Sequence, residues 1–455
     1  MKRLSHNSPS ILCIALILTS IICAQAPASA QPTTATATAA GVLQPTISGP
    51  LSIADAVQAA RKYSPMVQAA GNQTLAAQAR VGMARAMTRL QLSATAFGGT
   101  STTGDIITSP PNVMPSALFT VPSRSGVTGQ AALMLPLYTG GRLSGAVRGA
   151  EALSTAAASD RASIEQNATL ETKIAYHGAL LTQATVDVYN NLVREEQERV
   201  RIAETAYKEG RIARYDLLRN QTGLAEAEQQ LANAQRDAQT ALINLKTTMG
   251  VAPSSNITLS DQLTYSQVTG TPDSYLAAAL KNRPEIAAAR ARVSSANANI
   301  DVAKSAYKPQ IYGTAMEGVS ATSDGTDTGF TAGVVVGLPI LDGGFRRSAV
   351  REAKAMRDSI KLDEQQALLA VQQDVNTVWA ELQAADTNVK LSEAAVAQAE
   401  EDYRVIRLRY ESGKAVNVEV LDALASLVRA QNNRLMALYE HNVARDRLQR
   451  AIGGL

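Results

Sequence analysis

The segment Leu135-Pro136-Leu137-Tyr138-Thr139-Gly140-Gly141-Arg142 returns further along the chain as Leu338-Pro339-Ile340-Leu341-Asp342-Gly343-Gly344-Phe345. Pro136 and Pro339 stand 203 positions apart (339 − 136). A second pair keeps that spacing. Ala206-Tyr207-Lys208-Glu209-Gly210-Arg211 is answered by Arg409-Tyr410-Glu411-Ser412-Gly413-Lys414, so Tyr207 to Tyr410 and Gly210 to Gly413 are again 203 apart. A constant offset over such a length means a duplicated structural unit with almost no insertion between the marks. Two copies of one long unit point to a pseudo-symmetric assembly rather than to a single active-site cleft.

Before each Leu-Pro segment the pattern has period two, the signature of a strand with two unlike faces. Val127, Gly129, Ala131, Leu133 and Leu135 alternate with Thr128, Gln130, Ala132 and Met134. Phe330, Ala332, Val334, Val336 and Leu338 alternate with Thr331, Gly333, Val335 and Gly337. Partner strands are expected at Gln91 to Gly98 and Gln310 to Gly318, giving β-hairpins over 91–136 and 310–339. Polar loops, Gly99 to Gly126 and Val319 to Gly329 with its Ser323-Asp324-Gly325 turn, separate the partners. Strands of about 9–11 residues suit a tilted crossing of an outer membrane; a soluble hairpin is the other reading. Asp324-Gly-Thr-Asp327 has a fragment of a calcium-loop pattern but lacks the remaining ligand positions, so a turn is expected there.

After each hairpin comes a long helical run. Leu143 to Lys208 contains no proline and three glycines, and Phe345 to Ser412 contains neither. At 1.5 Å per residue the first run alone would extend ~99 Å. Gly210 and Gly413 end the two runs as left-handed caps. Returning helices follow at 215–249 and 418–452. In the first of them Leu217, Leu224, Leu231, Ala238 and Leu245 recur every seven residues, with Ala227, Ala234 and Ala241 in a second seam, which is coiled-coil patterning. Short helices broken before Pro65 and Pro284 complete the units, placing the structural repeats at 51–250 and 275–455 with a linker at 251–274.

The first 30 residues read as an export signal: Lys2 and Arg3, an apolar run from Ile11 to Ile22, and the small residues Ala28-Ser29-Ala30. Cys23 follows Ile22 where a lipidation motif wants a small residue, so cleavage after Ala30 is favoured over lipid attachment. Residues 31–50 are Thr/Ala/Pro-rich and read as a flexible leader. Cys13 and Cys23 both fall in the signal, leaving the mature chain without thiol chemistry. His177 and His441 stand alone on helical stretches, with surface or packing roles expected. Lys+Arg 43 against Asp+Glu 40 gives no reason to expect nucleic acid. No nucleophile motif, phosphate loop or paired-histidine metal spacing is present, so neither an enzyme nor a bound cofactor is expected.

Four membrane-length strands cannot close, and lipid cannot satisfy the backbone of two open edges. Spanning strands would have to be pooled from several chains. The whole mature chain resembles the TolC-like outer-membrane factors, the exit ducts of efflux pumps and type I secretion systems. The resemblance rests on the twofold repeat, the prolines before the strand-forming segments, the Leu-Pro-x-x-x-Gly-Gly steps, and the Tyr-x-x-Gly turns at the helix tips.

That resemblance implies a mixed α/β membrane protein: a homotrimeric 12-stranded β-barrel, four strands per chain, in outer-membrane lipid, continued by a long α-helical coiled-coil barrel through the periplasm. It implies a passive duct served by a periplasmic adaptor (membrane fusion protein) and an inner-membrane pump of RND, ABC or MFS type. The first hairpin is longer than the second, and its extra residues are expected in the Thr100–Gly126 loop at the cell exterior. In the family, acidic residues six and nine after the tip glycine line the closed constriction. Here those positions are Glu419 and Asp422, with Asp216 six after Gly210. Such rings attract cations and can be bridged by a polyvalent one. Tyr410 matches the tyrosine that bonds the neighbouring tip acid, here Asp216. Ala415 stands where the family carries an arginine, with Lys414 or Arg214 as substitutes. The tips, around Gly210, Arg211, Gly413 and Lys414, are expected to dock the adaptor. A periplasmic adaptor or a secreted coiled-coil protein are the alternative readings; neither uses two equivalent halves with strand pairs. The cargo is not legible.

Overall fold

The computed structural model describes residues 44–99, 106–108, 118–120, 126–322 and 325–455. The expected signal, Cys23 and leader positions 31–43 lie outside the described residues. In chain order the elements are β1 (Ser48–Leu51), α1 (Ile53–Tyr63), α2 (Pro65–Ala86), β2 (Gln91–Gly99), β3 (Ile106–Thr108), β4 (Leu118–Thr120), β5 (Gly126–Tyr138), α3 (Arg142–Lys208) and α4 (Arg214–Thr248). The second half carries β6 (Asn256–Leu259), α5 (Pro272–Asn282), α6 (Pro284–Ser305), β7 (Gln310–Thr322), β8 (Gly325–Gly337), α7 (Phe345–Glu411) and α8 (Asn417–Ala451).

Each long helix, α3 and α7, has 67 residues, and each returning helix, α4 and α8, has 35. They stay unbroken because proline is absent and the heptad faces pack. On α4, Ala227 and Ala234 are buried while Leu217, Leu224 and Leu231 are half-buried, so the alanine seam is the one pressed closest to its neighbour. The strand-to-helix steps need glycine at both members of each pair. Gly140 and Gly141 have φ +62° and +97°, and Gly343 and Gly344 have +60° and +92°, conformations other residues adopt only at a cost.

The strands β2-β5-β7-β8 form one antiparallel sheet. Its central pairing runs from Gly126↔Thr322 to Tyr138↔Ile311, with an irregularity between Pro136 and Tyr138. Proline, lacking an N–H, is tolerated at such a bulge. β8 stops at Gly337, so Pro339 lies beyond the strand, and Ile340 and Leu341 are almost fully exposed. β2 and β8 are open edges. The loop between β2 and β5 is not wholly irregular: Ile106↔Thr120, Ile107↔Phe119 and Thr108↔Leu118 pair, with β-branched or aromatic residues at five of the six positions. Residues 100–105, 109–117 and 121–125, with Ser323 and Asp324 of the second turn, lie outside the described residues.

The leader expectation needs correction at its end. Ser48–Leu51 pairs in parallel with Asn256–Leu259 of the linker, and the Ile47 amide donates to Ser255 Oγ at 3.3 Å. Paired backbone ties these residues down. The linker also ends sooner than expected. Thr271 caps α5 with a reciprocal box to Ser274 and Pro272 sits in the first turn, so 272–274 belong to the helix.

Buried residues gather where the short helices meet the long ones. Leu51, Ala56, Ala60, Tyr176, Leu245 and Met249 form one core. Ile286, Val371, Val375 and Ala451 form a second in the other half.

Candidate functional site

Both long helices reverse at the same kind of turn. At the first tip the Arg211 amide donates to Ala206 O at 2.8 Å and Gly210 has φ +72°. At the second the Lys414 amide donates to Arg409 O at 2.7 Å and Gly413 has φ +74°. These six-to-one bonds are the Schellman closure, which needs a left-handed residue. The expected docking residues Gly210, Arg211, Gly413 and Lys414 are all exposed, and Arg211 pairs with Glu209 beside it.

Just above the tips, side chains tie the α3–α4 hairpin to the α7–α8 hairpin. Tyr403 on α7 donates to Glu195 Oε2 on α3 at 3.1 Å, and Arg407 approaches the same oxygen at 3.5 Å. Arg199 on α3 donates to Asn417 Oδ1 on α8 at 2.9 Å and to Asn220 Oδ1 on α4 at 3.4 Å. Asn417 completes the triangle by donating to Asn220 at 3.3 Å. Burial first, and the Glu195 carboxylate second, push the Tyr403 hydroxyl up to about 12, so it remains a donor at any physiological pH. Arg199 also meets Glu196 Oε1 at 3.2 Å; burial raises that carboxyl, and the guanidinium only partly offsets it.

The expected gate residues sit differently. Glu419 and Asp422 lie in the first two turns of α8 and are exposed; Asp216 lies in the first turn of α4 and is half-buried. Among the described residues the Tyr410 hydroxyl and these three carboxylates make no hydrogen bond or ion pair within the chain. Within one chain, the hydroxyl–carboxylate tie between hairpins is made by Tyr403 and Glu195, which sequence reasoning missed. A signal for the neighbouring triangle existed: Asn220 stands seven residues before Ala227, in the alanine seam, and is buried. A lone asparagine in an apolar seam fixes register through a polar partner.

A second polar cluster lies further from the tips. Asp446 on α8 receives His177 Nε2 at 2.9 Å and Lys173 Nζ at 3.0 Å, both from α3. Burial would push the Asp446 carboxyl up, but the histidine hydrogen bond and the lysine charge together hold it below the usual range. His441, fully buried, packs on the Tyr265 ring at 4.8 Å. Both histidines thus have interior roles.

The model of outer membrane efflux proteins matches residues 56–251 and 275–454, the two repeats with the linker omitted. The chain belongs to the outer membrane efflux protein family. Membership places it in the outer membrane, in a family that is not an enzyme class. Pyoverdine export outer membrane protein OpmQ of Pseudomonas putida is 25% identical over 58% of this chain and 56% of its own. Cobalt-zinc-cadmium resistance protein CzcC of Cupriavidus metallidurans is 25% identical over 85% of this chain and 91% of its own. The first relatives in the comparison are matched over 56 to 64% of their own length. Among solved structures, the Campylobacter jejuni CmeC outer membrane channel superposes with TM-score 0.73 over 88% of this chain and 85% of its own, at 16% identity. The fold is that of these channels, mostly helical with a small sheet.

Proposed function

We propose that three copies of this chain assemble into a passive exit duct that carries cargo from the periplasm through the outer membrane, served by a periplasmic adaptor and an inner-membrane pump. The supporting observation is that the second repeat lacks what the first repeat has. In the first, α3 is flanked by α2 and α6; a Cβ at Gly140 would sit 2.7 Å from Lys308 Cβ and one at Gly145 2.9 Å from Val302 Cγ2. In the second, among the described residues, α7 has α6 on one side and no counterpart of α2 on the other. A Cβ at Gly343 would meet nothing within 4 Å, and Phe345, Met356 and Leu362 are exposed by 74%, 62% and 64%. On α2, Leu75 and Met83 are exposed by 62% and 59%. The α2 face of one copy covers the α7 face of the next, and the same step pairs edge β2 with edge β8. Among the described residues no helix is long and apolar enough to cross a membrane, so the pooled sheet is the spanning element, with no edge left in lipid.

In this duct Glu419, Asp422 and Asp216 line the constriction, while the Tyr403–Glu195 and Arg199–Asn417–Asn220 contacts hold it shut. The relatives' names include pyoverdine export and cobalt-zinc-cadmium resistance; no feature of this chain selects between such cargoes.

The two proline-started helices are 219 apart (284 − 65) and both have 22 residues, so Val302 corresponds to Met83 and Gly145 to Ser348. A Met83→Cys/Ser348→Cys double variant should give disulfide-linked dimers and trimers on a non-reducing gel. Oxidised protein that is folded yet remains monomeric on that gel contradicts the assembly.

A further inference from the structure

Between α4 and α8, with α3 as its floor, runs a groove of about 840 Å³. Its floor holds the Glu196 carboxylate, 4% exposed. Oε1 is taken by Arg199, but Oε2 has no hydrogen-bond partner among the described residues. Asn432 Oδ1, on the groove's α8 side, is likewise buried and unpartnered. Both orphan atoms are acceptors. A buried acceptor without a donor costs free energy, and a half-paired carboxylate costs more.

The lining extends the same chemistry. Glu226 and Asp422 add carboxylates, and Tyr189 and Tyr215 add aromatic rings. Arg219 and Arg429 are the opposing charges, and Arg219 is turned onto the Tyr215 hydroxyl at 3.3 Å. Leu192, Leu424 and Val428 supply apolar wall. Opposite the orphan oxygen stands Gly223, where a Cβ would lie 3.3 Å from Oε2. Any side chain at that position would crowd the oxygen.

We propose that the groove is a binding site for an organic cation bearing a primary ammonium on an aromatic or apolar body. An ammonium is donor-only with three N–H bonds, the kind of partner that Glu196 Oε2 and Asn432 Oδ1 each lack. The tyrosine rings favour a cation beside them, and the wall covers the apolar part. A metal ion fits less well, since no group of three or more ligating side chains is assembled among the described residues. The site goes beyond the duct reading and stands or falls by direct binding.

The test uses the full chain, purified and held in a lipid nanodisc, with dansylcadaverine as probe and dansylamide, which lacks the aminopentyl arm and with it the ammonium, as its neutral counterpart. Saturable dansyl fluorescence with dansylcadaverine, and affinity at least about tenfold weaker for dansylamide, is expected from a charge-assisted contact. Glu196→Gln should weaken dansylcadaverine about tenfold, and Glu228→Gln on the exposed face of α4 should not change it. Gly223→Ala, which leaves every charge in place, should also weaken it and serves if the glutamine variant folds poorly. Equal affinity for the two probes, unchanged affinity in both groove variants, or no saturable binding overturns the proposal.

Discussion

Tyr403 on α7 and Glu195 on α3, 208 positions apart in the chain, meet through a 3.1 Å hydrogen bond in which the hydroxyl donates to the carboxylate. Glu195 takes Arg407 as well, so one acid joins the two hairpins, which in the proposed duct part when the tip opens.

Tyr403→Phe removes the donor and keeps the ring. Loss of one hydrogen bond should cost about 1 kcal/mol per chain and raise resting conductance in a planar bilayer. The hydroxyl is pushed up to about 12, by burial before Glu195. A raised value means the contribution is whole below the unfolded value of about 10 and is lost as pH climbs toward 12. Conductance of the unmodified protein should therefore stay flat from neutral pH to about 9.

Asp446 predicts the opposite pH behaviour. Burial opposes its ionisation, yet His177 and Lys173 overcome that and hold the carboxyl low. A depressed carboxylate contributes stability that is present above its unfolded value of about 4 and lost as pH falls through its folded value. Lys173→Met should lower the thermal midpoint at pH 7, because a buried charge loses a partner, at a cost of about 3 kcal/mol. The difference from the unmodified protein should shrink in acid. A midpoint difference that persists undiminished in acid would count against the pairing.

Neutralising Glu419 and Asp422 together, as Glu419→Gln/Asp422→Asn, should abolish block by divalent or trivalent cations while single-channel current persists. Unchanged block would remove these acids from the constriction.

Gly210 and Gly413 hold φ of +72° and +74°, where a branched residue costs roughly 1–2 kcal/mol. Valine at both positions should stop export in a strain that depends on this chain, while detergent-extracted trimers persist. Export at normal rates would argue against docking through the tips.

The long helices and the strand pairs were legible because each has a strong local signal. Proline is absent from Arg142–Lys208 and Phe345–Glu411, polarity alternates through Gly126–Tyr138, and glycines mark the tips at a fixed offset. What escaped depends on partners distant in sequence. Ser48–Leu51 becomes a strand only through Asn256–Leu259, and nothing in its Ser-Gly-Pro composition announces that. Tyr403 and Arg199 look like ordinary surface positions until α3 and α7 are brought side by side. Counting from the tip glycines reached Glu419, Asp422 and Asp216 but could not say which side chains bond across the hairpins.

The most direct measurement is planar-bilayer conductance of the purified protein, unmodified and as Tyr403→Phe/Arg199→Ala. A duct held shut by contacts between hairpins predicts small, infrequent currents from the unmodified protein and currents several-fold larger from the variant, with folded trimers in both. Folded trimers that pass no current in either form, or equal small currents in both, would contradict it.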